Sequence, residues 1–264
     1  MIEVNGMAKN DDAQYCYGTE PYQRELLKLM KDIHSLCEKN GVRYSLAGGS
    51  LLGAIRHNGF IPWDDDLDIM FDRDNYNRFI YLTGTISKDF VLIRDKWVVR
   101  VEYKDDRGLI GTWKPSIDLF INDNIPINTA EYTAKVFAIK TLQGMMKNKV
   151  DLSDYSPFHK VCLVITHCMG ALVPDTLKYS VYQKISQVGN KEEHNYIAAF
   201  NDEYHLLEKK YSCTLMDQIE KHIFEDTELF ITKEYDNYLS IQYGDYMKLP
   251  PEEDRKPLHL KALE

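Results

Sequence analysis

The sequence lacks the hallmarks of secreted and membrane-spanning proteins. Its five cysteines form an odd set with no Cys-x-x-Cys pair, and the N-terminus has no basic segment followed by an apolar one, which favours a reducing, cytoplasmic setting. The longest apolar stretch, residues 161–173, is interrupted by Thr166 and His167 and falls short of the ~20 residues of a spanning helix. This stretch predicts a buried core helix, and the alternative is peripheral contact with the cytoplasmic face of a membrane.

Positive charge is also scarce. The chain has 32 Lys and Arg against 41 Asp and Glu, a net charge of −9. A nucleic-acid polymer is therefore excluded as a partner, because such binding needs a basic surface to displace counterions. A small anion such as a nucleotide is not excluded, since one divalent metal and one or two basic side chains can neutralise it locally.

Several familiar site motifs are missing as well. The sequence contains no G-x-x-x-x-G-K-[ST], no G-x-G-x-x-G and no G-x-S-x-G. A calcium loop that begins at Asp64 fails, because Ile69 replaces the required glycine and Asn75 the closing glutamate. The two histidines and two cysteines of residues 159–168 match no standard zinc spacing, so no zinc site is predicted there.

The periodicity predicts an α+β protein, with a mixed sheet, flanking helices and a mainly helical C-terminal half. Residues 1–18 lack apolar periodicity and predict a flexible arm, residues 19–128 a catalytic core, and residues 129–264 a helical region on the acceptor side whose end returns to the site. Predicted strands cover residues 42–47, 66–71, 90–94, 97–103, 109–113 and 116–121. Predicted helices cover residues 21–39, 51–57, 72–81, 129–148, 157–171, 175–190 and 232–243.

The strongest chemical signal is an acidic cluster sixteen residues after a glycine turn. In a strand over residues 66–71, Asp66 and Asp68 lie on the same face, so their carboxylates converge. Like charges held close together favour a bound cation, and hard oxygen ligands suit Mg²⁺ or Mn²⁺. Asp118 stands in an otherwise apolar strand and is the candidate third ligand, unless it lies at an exposed edge.

The glycine turn is a candidate phosphate site. Gly48 and Gly49 allow close approach to the backbone, and the amides at the start of the Ser50 helix direct partial positive charge at an anion. Without the acidic cluster, the turn would be an ordinary strand-to-helix connection. Arg56 either clamps a phosphate oxygen or makes a surface pair, and His57 is either a neighbour of the site or a core residue.

Two stretches carry a family resemblance. The first stretch reads Leu46-Ala-Gly-Gly-Ser-Leu-Leu-Gly-Ala-Ile-Arg-His, followed by Gly59-Phe-Ile-Pro-Trp-Asp-Asp-Asp-Leu-Asp-Ile. It resembles the signature of the LicD family of phosphotransferases. The second stretch reads Tyr243-Gly-Asp-Tyr-Met-Lys-Leu-Pro-Pro, and it resembles the family's closing motif.

The resemblance implies a nucleotidyltransferase-like fold and a bacterial enzyme of teichoic acid or lipopolysaccharide decoration. It implies transfer of phosphocholine or an alditol phosphate from a CDP-linked donor, such as CDP-choline, to a sugar or lipid-linked glycan. Carried over by position, Asp66 and Asp68 match the catalytic metal pair, Asp118 the third acidic position, and Gly48, Gly49 and Ser50 the phosphate-binding turn. The closing motif adds Tyr243, Asp245 and Lys248 to the substrate-binding candidates.

Two other functions remain open. Attack at the phosphorus next to the nucleoside would make the protein a nucleotidyltransferase that uses a nucleoside triphosphate and a small hydroxyl acceptor. A non-catalytic nucleotide- or glycan-binding module is the alternative outside enzymes. The intact acidic set argues against the module, because a protein without a metal would gain stability by losing this repulsion.

Overall fold

The computed structural model describes residues 17–147, 157–191 and 193–257. The helices are α1 Glu20–Lys39, α2 Gly48–His57, α3 Arg73–Tyr81, α4 Thr129–Met146, α5 Pro157–Ala171, α6 Asp175–Ser186 and α7 Tyr235–Tyr243. The strands are β1 Ser45–Leu46, β2 Asp68–Asp72, β3 Phe90–Asp95, β4 Val98–Tyr103, β5 Ser116–Asn124, β6 Tyr196–Ala199, β7 Tyr211–Ser212, β8 Ile219–Phe224 and β9 Thr227–Thr232.

The α+β class is confirmed, and most predicted elements form. Helix α1 buries its predicted apolar stripe, including Leu26 and Ile33. Asp72 caps the start of α3, and its carboxylate accepts from the Asn75 amide. The strand predicted for residues 109–113 is wrong, because only an isolated bridge between Ile110 and Trp113 forms there. The strand predicted from residue 66 begins at Asp68, so Asp66 precedes it. The flexible arm of residues 1–18 lies almost wholly outside the described residues.

The chain divides into two compact units. Unit 1 comprises Met1–Ile93, Arg100–Leu119 and Thr214–Glu264, and unit 2 comprises Arg94–Val99 and Phe120–Cys213. The domain boundary expected near residue 128 stays a prediction.

Unit 1 contains β1, β2, the β8–β9 hairpin and parts of β3, β4 and β5, and the order of these strands in the sheet is β1, β2, β5, β4, β3. Strand β1 pairs antiparallel with β2, with Leu46 opposite Ile69. Aromatic side chains fill much of the core, and the rings of Phe71 and Phe79 lie 5.1 Å apart. Because α2 begins two residues after β1 ends, the glycine turn lies beside the start of β2.

Unit 2 contains the second half of β5, which pairs antiparallel with β6, and the helices α4, α5 and α6. Its core comprises Trp97, Ile125, Val136, Ile139, Leu142, Met146, Tyr182, Ala198, Phe200 and Leu207. Burial raises the pKa of Asp202 to about 6.

The apolar stretch of residues 161–173 forms most of α5, but its prediction as a buried core helix is wrong. Val161, Ile165 and Met169 each expose half or more of their surface. Among the described helices, none is by itself long and apolar enough to cross a membrane. Two helical segments that meet at 120° have the length and composition of a membrane span only when they are taken together: His159–Ala171 and Asp175–Ser186.

Candidate functional site

The predicted glycine turn is the first turn of α2. Gly48 has φ +49°, a conformation that glycine adopts without strain. Its N–H donates to the Tyr238 hydroxyl at 3.2 Å. The first intrahelical bond runs from Leu51 N to Ala47 O, so the N–H groups of Gly49 and Ser50 lie in the part of the helix that lacks internal acceptors.

Two carboxylates lie directly against this turn. A Cβ atom on Gly48 would lie 3.0 Å from Asp68 Oδ2, and one on Gly49 would lie 2.8 Å from Asp64 Oδ2. Ser50 connects the two parts, since its buried hydroxyl accepts from the Asp68 N–H at 2.9 Å. The turn and the acidic cluster therefore meet in the structure, and a side chain at either glycine would press against one of these carboxylates.

The acidic cluster includes Asp64 as well as the predicted Asp66 and Asp68. Burial raises the pKa of Asp64 well above its usual range, and the charge of Asp66 and a hydrogen bond with that carboxyl raise it further. A carboxyl with such a pKa holds its proton more readily than usual. The cluster thus carries negative charge that a proton or a cation would stabilise.

Helix α7 brings the closing motif to the same place. The Tyr243 hydroxyl would lie 3.8 Å from a Cβ on Gly48. Desolvation raises the pKa of Tyr243 strongly, and neighbouring Tyr238 and the carboxylates of Asp68, Asp64 and Asp66 add to the shift. The hydroxyl therefore stays protonated and can donate a hydrogen bond to an anionic group. Gly48 and Tyr238 are 190 residues apart in sequence, and their contact fixes the motif on the turn.

Arg56 is buried and reaches back to the closing motif. Its Nη1 donates to Tyr246 O at 2.9 Å, and its Nε donates to His57 Nε2 at 2.9 Å. The side chain thus anchors the backbone after α7, while its predicted contact with phosphate stays a prediction. Asp245 and Lys248 are exposed, and the Lys248 N–H donates to Asp245 O.

Asp118 lies on the strand next to β2, as predicted. Its N–H donates to Leu67 O at 3.1 Å, and its carboxylate accepts from Arg100 Nε at 2.6 Å. Across the described ranges, no three His, Cys, Asp or Glu side chains are grouped as they would be around a metal ion. The metal set of Asp66, Asp68 and Asp118 therefore stays a prediction.

Sequence reasoning missed three residues of this site. Asp64 stands in the same run, Asp64-Asp-Asp-Leu-Asp, as the two predicted aspartates, and that shared run is the signal that could have found it. Tyr238 has no motif of its own, and its signal is its place on the same helix as Tyr243. Arg100 alternates with buried residues of β4, which is the pattern of a side chain facing away from the core.

An α+β unit that presses a glycine-led helix start against a carboxylate cluster has the parts that transferases of phosphate-containing groups use. The domain described as "LicD/FKTN/FKRP, nucleotidyltransferase domain" matches residues 41–161, which include the turn, the acidic cluster and Asp118. This match supports a LicD family phosphotransferase.

Curated relatives match over very different lengths. The lipopolysaccharide cholinephosphotransferase LicD of Haemophilus influenzae is 28% identical in a 256-residue alignment that covers 89% of this chain and 93% of that protein. The human and mouse ribitol 5-phosphate transferases FKRP are each 50% identical over 95 residues, 36% of this chain and 16% of theirs. The likeness to the Haemophilus protein thus extends through both units, whereas the likeness to FKRP is limited to a part.

Proposed function

We propose that this protein transfers a phospho-group, phosphocholine or an alditol phosphate, from a CDP-activated donor to a sugar hydroxyl of a bacterial cell-surface glycan, and releases CMP. The approach of Asp64 and Asp68 to Gly49 and Gly48 carries the proposal, because it sets amides that would bind a phosphate beside carboxylates that would hold a neutralising cation. The names of the Haemophilus cholinephosphotransferase and of the FKRP ribitol 5-phosphate transferases support transfer of a phosphate-bearing group onto a glycan.

The acidic cluster suits a divalent cation, Mg²⁺ or Mn²⁺. Its ligands would be hard carboxylate oxygens. Burial, and then the charge of Asp66, raise the pKa of Asp64, so an ionised carboxyl there would be stabilised by a nearby cation. Asp66 and Asp68, with Asp118 as a third ligand, are the residues proposed to hold the cation. When bound, it would neutralise charge on the donor diphosphate.

The chain's own groups bind the donor and accept the proton of the acceptor hydroxyl. The N–H groups of Gly49 and Ser50 bind an oxygen of the donor diphosphate, and the protonated Tyr243 hydroxyl donates to a second oxygen. Asp118 accepts the proton of the acceptor hydroxyl as that oxygen attacks the distal phosphorus. Arg100 holds the Asp118 carboxylate in place through the 2.6 Å hydrogen bond. The bond between the two phosphoryl groups breaks, and CMP leaves.

The products distinguish the candidate functions. Purified protein is incubated with CDP-choline, CDP-ribitol, CDP-glycerol or nucleoside triphosphates, each with Mg²⁺ and sugar acceptors, and the products are identified by mass. CMP together with a phosphocholine- or alditol-phosphate-bearing sugar is the expected result. Pyrophosphate release would make the protein a nucleotidyltransferase, and donor binding without any product would favour a binding module. Either outcome would refute the proposal.

A further inference from the structure

Helix α5 presents an apolar face to the outside. The side chains at helical spacing on this face are exposed, and none is charged: Val161, Val164, Ile165, Cys168, Met169 and, just past the helix, Leu172. Leu172 exposes 87% of its surface. A surface helix ordinarily turns its polar side outward, so the polarity of α5 is inverted.

Packing against α4 fixes this orientation. A Cβ on Gly144 of α4 would overlap the Thr166 hydroxyl, and a Cβ on Gly170 would overlap the Met145 carbonyl. The buried Lys178 ammonium donates to Met145 O and Gly170 O at 3.1 Å each. The two helices thus approach through small and polar groups, and rotating α5 to bury its apolar face would break these contacts.

A groove between α4 and α5 adjoins the exposed face. It has a volume of about 270 Å³ and an apolar lining that includes Phe137, Cys162 and Leu163. Lys140, Lys147 and His159 also line it, and Lys140 forms an ion pair with Glu208. Basic groups therefore border an apolar surface on a protein whose net charge is −9.

We propose that the outer face of α5, with the adjoining groove, docks on a lipid membrane that has anionic headgroups. Aliphatic side chains of this kind insert at the boundary between headgroups and acyl chains, and neighbouring lysines attract anionic lipid. Helix α5 has no acidic residue, so its exposed face carries no negative charge that would repel an anionic headgroup. The inference stands apart from the proposed reaction, because vesicle binding needs neither donor nor acceptor.

The test is cosedimentation of the whole protein with vesicles. One set contains phosphatidylglycerol and phosphatidylcholine, and the other contains phosphatidylcholine alone. The Val164→Asp/Ile165→Asp double variant changes the face, and Ile223→Asp is the matched control, since Ile223 exposes 56% and Ile165 53% of its surface. Circular dichroism verifies that each variant is folded. Leu172→Asp gives a second test, on a side chain that exposes 87% of its surface.

We expect the wild type to bind anionic vesicles more tightly than neutral ones. The double variant should lose at least about tenfold in affinity and Leu172→Asp a smaller amount, while Ile223→Asp should bind as the wild type does. A wild type that stays in the supernatant would overturn the proposal, as would equal binding by the double variant. Sedimentation equilibrium tests whether a second copy of the chain, rather than lipid, binds this face. A wild-type dimer that the double variant dissociates, without vesicle binding, would assign the face to a second copy.

Discussion

Gly49→Ala tests whether the carboxylate cluster needs a bare backbone beside it. Glycine to alanine in a helix ordinarily stabilises by about 0.5–1 kcal/mol. At Gly49, however, the new Cβ would lie 2.8 Å from Asp64 Oδ2, so the carboxyl must move by several tenths of an ångström. Overpacking of this kind costs about 1–3 kcal/mol. The expected net result lies between no change and a loss of about 2.5 kcal/mol in the free energy of unfolding.

The same methyl group would occupy space that the proposed donor phosphate needs. Turnover should therefore fall by about 10²-fold or more, the size of effect that follows loss of one electrostatic contact to the transition state. Gly84→Ala is the matched control, since a Cβ added there would have no heavy atom within 4 Å and the φ of Gly84 is not positive. That variant should keep full turnover and have equal or slightly higher stability.

Urea unfolding followed by circular dichroism measures the stability of both variants, and CMP release from CDP-linked donors measures turnover. A Gly49→Ala protein as stable and as active as Gly84→Ala would refute the reasoning. Gly49 is a cleaner test than Gly48, because the positive φ of Gly48 would add backbone strain to any steric effect.

Three further predictions concern charge and anchoring. Asp68→Asn should lower turnover by about 10²–10³-fold and reduce the thermal stabilisation that Mg²⁺ with donor provides, while the metal-free protein keeps or gains stability; a destabilised but active variant would contradict this. Because the folded pKa of Asp202 is about 6 against a usual 3.8, its ionised form is disfavoured in the folded state, so stability should fall as pH rises from about 4 to about 6. Urea unfolding across that range should show a flatter profile for Asp202→Asn, and an unchanged profile would count against the burial argument. Arg56→Lys cannot reach both His57 and Tyr246 O, so it should cost about 1–3 kcal/mol and expose the segment after α7 to faster hydrogen exchange. Exchange as slow as in the wild type would rule out the anchoring role.

The sequence predicts the elements whose local signals agree with their packing. Helix α1 has apolar residues at helical spacing and a glycine stop, and it buries that stripe as expected. The β8–β9 hairpin was missed, because its two-residue turn is Glu225-Asp226 and lacks the usual Asn-Gly signal. Glu225 has φ +54° there, and its carboxylate accepts from the Phe60 N–H. A contact from far along the chain thus accompanies a turn that local preference does not favour.

Some contacts of the site could likewise be predicted from the sequence, and others could not. The turn and the acidic cluster lie within one helix-to-strand step, so their meeting could be predicted from sequence spacing alone. The place of Tyr243 and Tyr238 could not, since it depends on how α7 packs on α2 within unit 1. Asp66 and Asp68 do not share a strand face as predicted, because β2 begins at Asp68. The cluster forms nonetheless, through a loop that places Asp64 against Gly49.

Helix α5 shows why composition could not decide between core and surface. Its apolar residues are consistent with either, because hydropathy does not record which side of a helix meets the protein. Gly170 and Thr166 identify the side of α5 that meets the protein, since α4 approaches that side too closely for larger groups. Once that side is assigned to packing, Val161, Ile165 and Met169 must point away from α4. Small residues, rather than large apolar ones, therefore identify the inner face of this helix, and they leave its apolar residues available for a lipid surface.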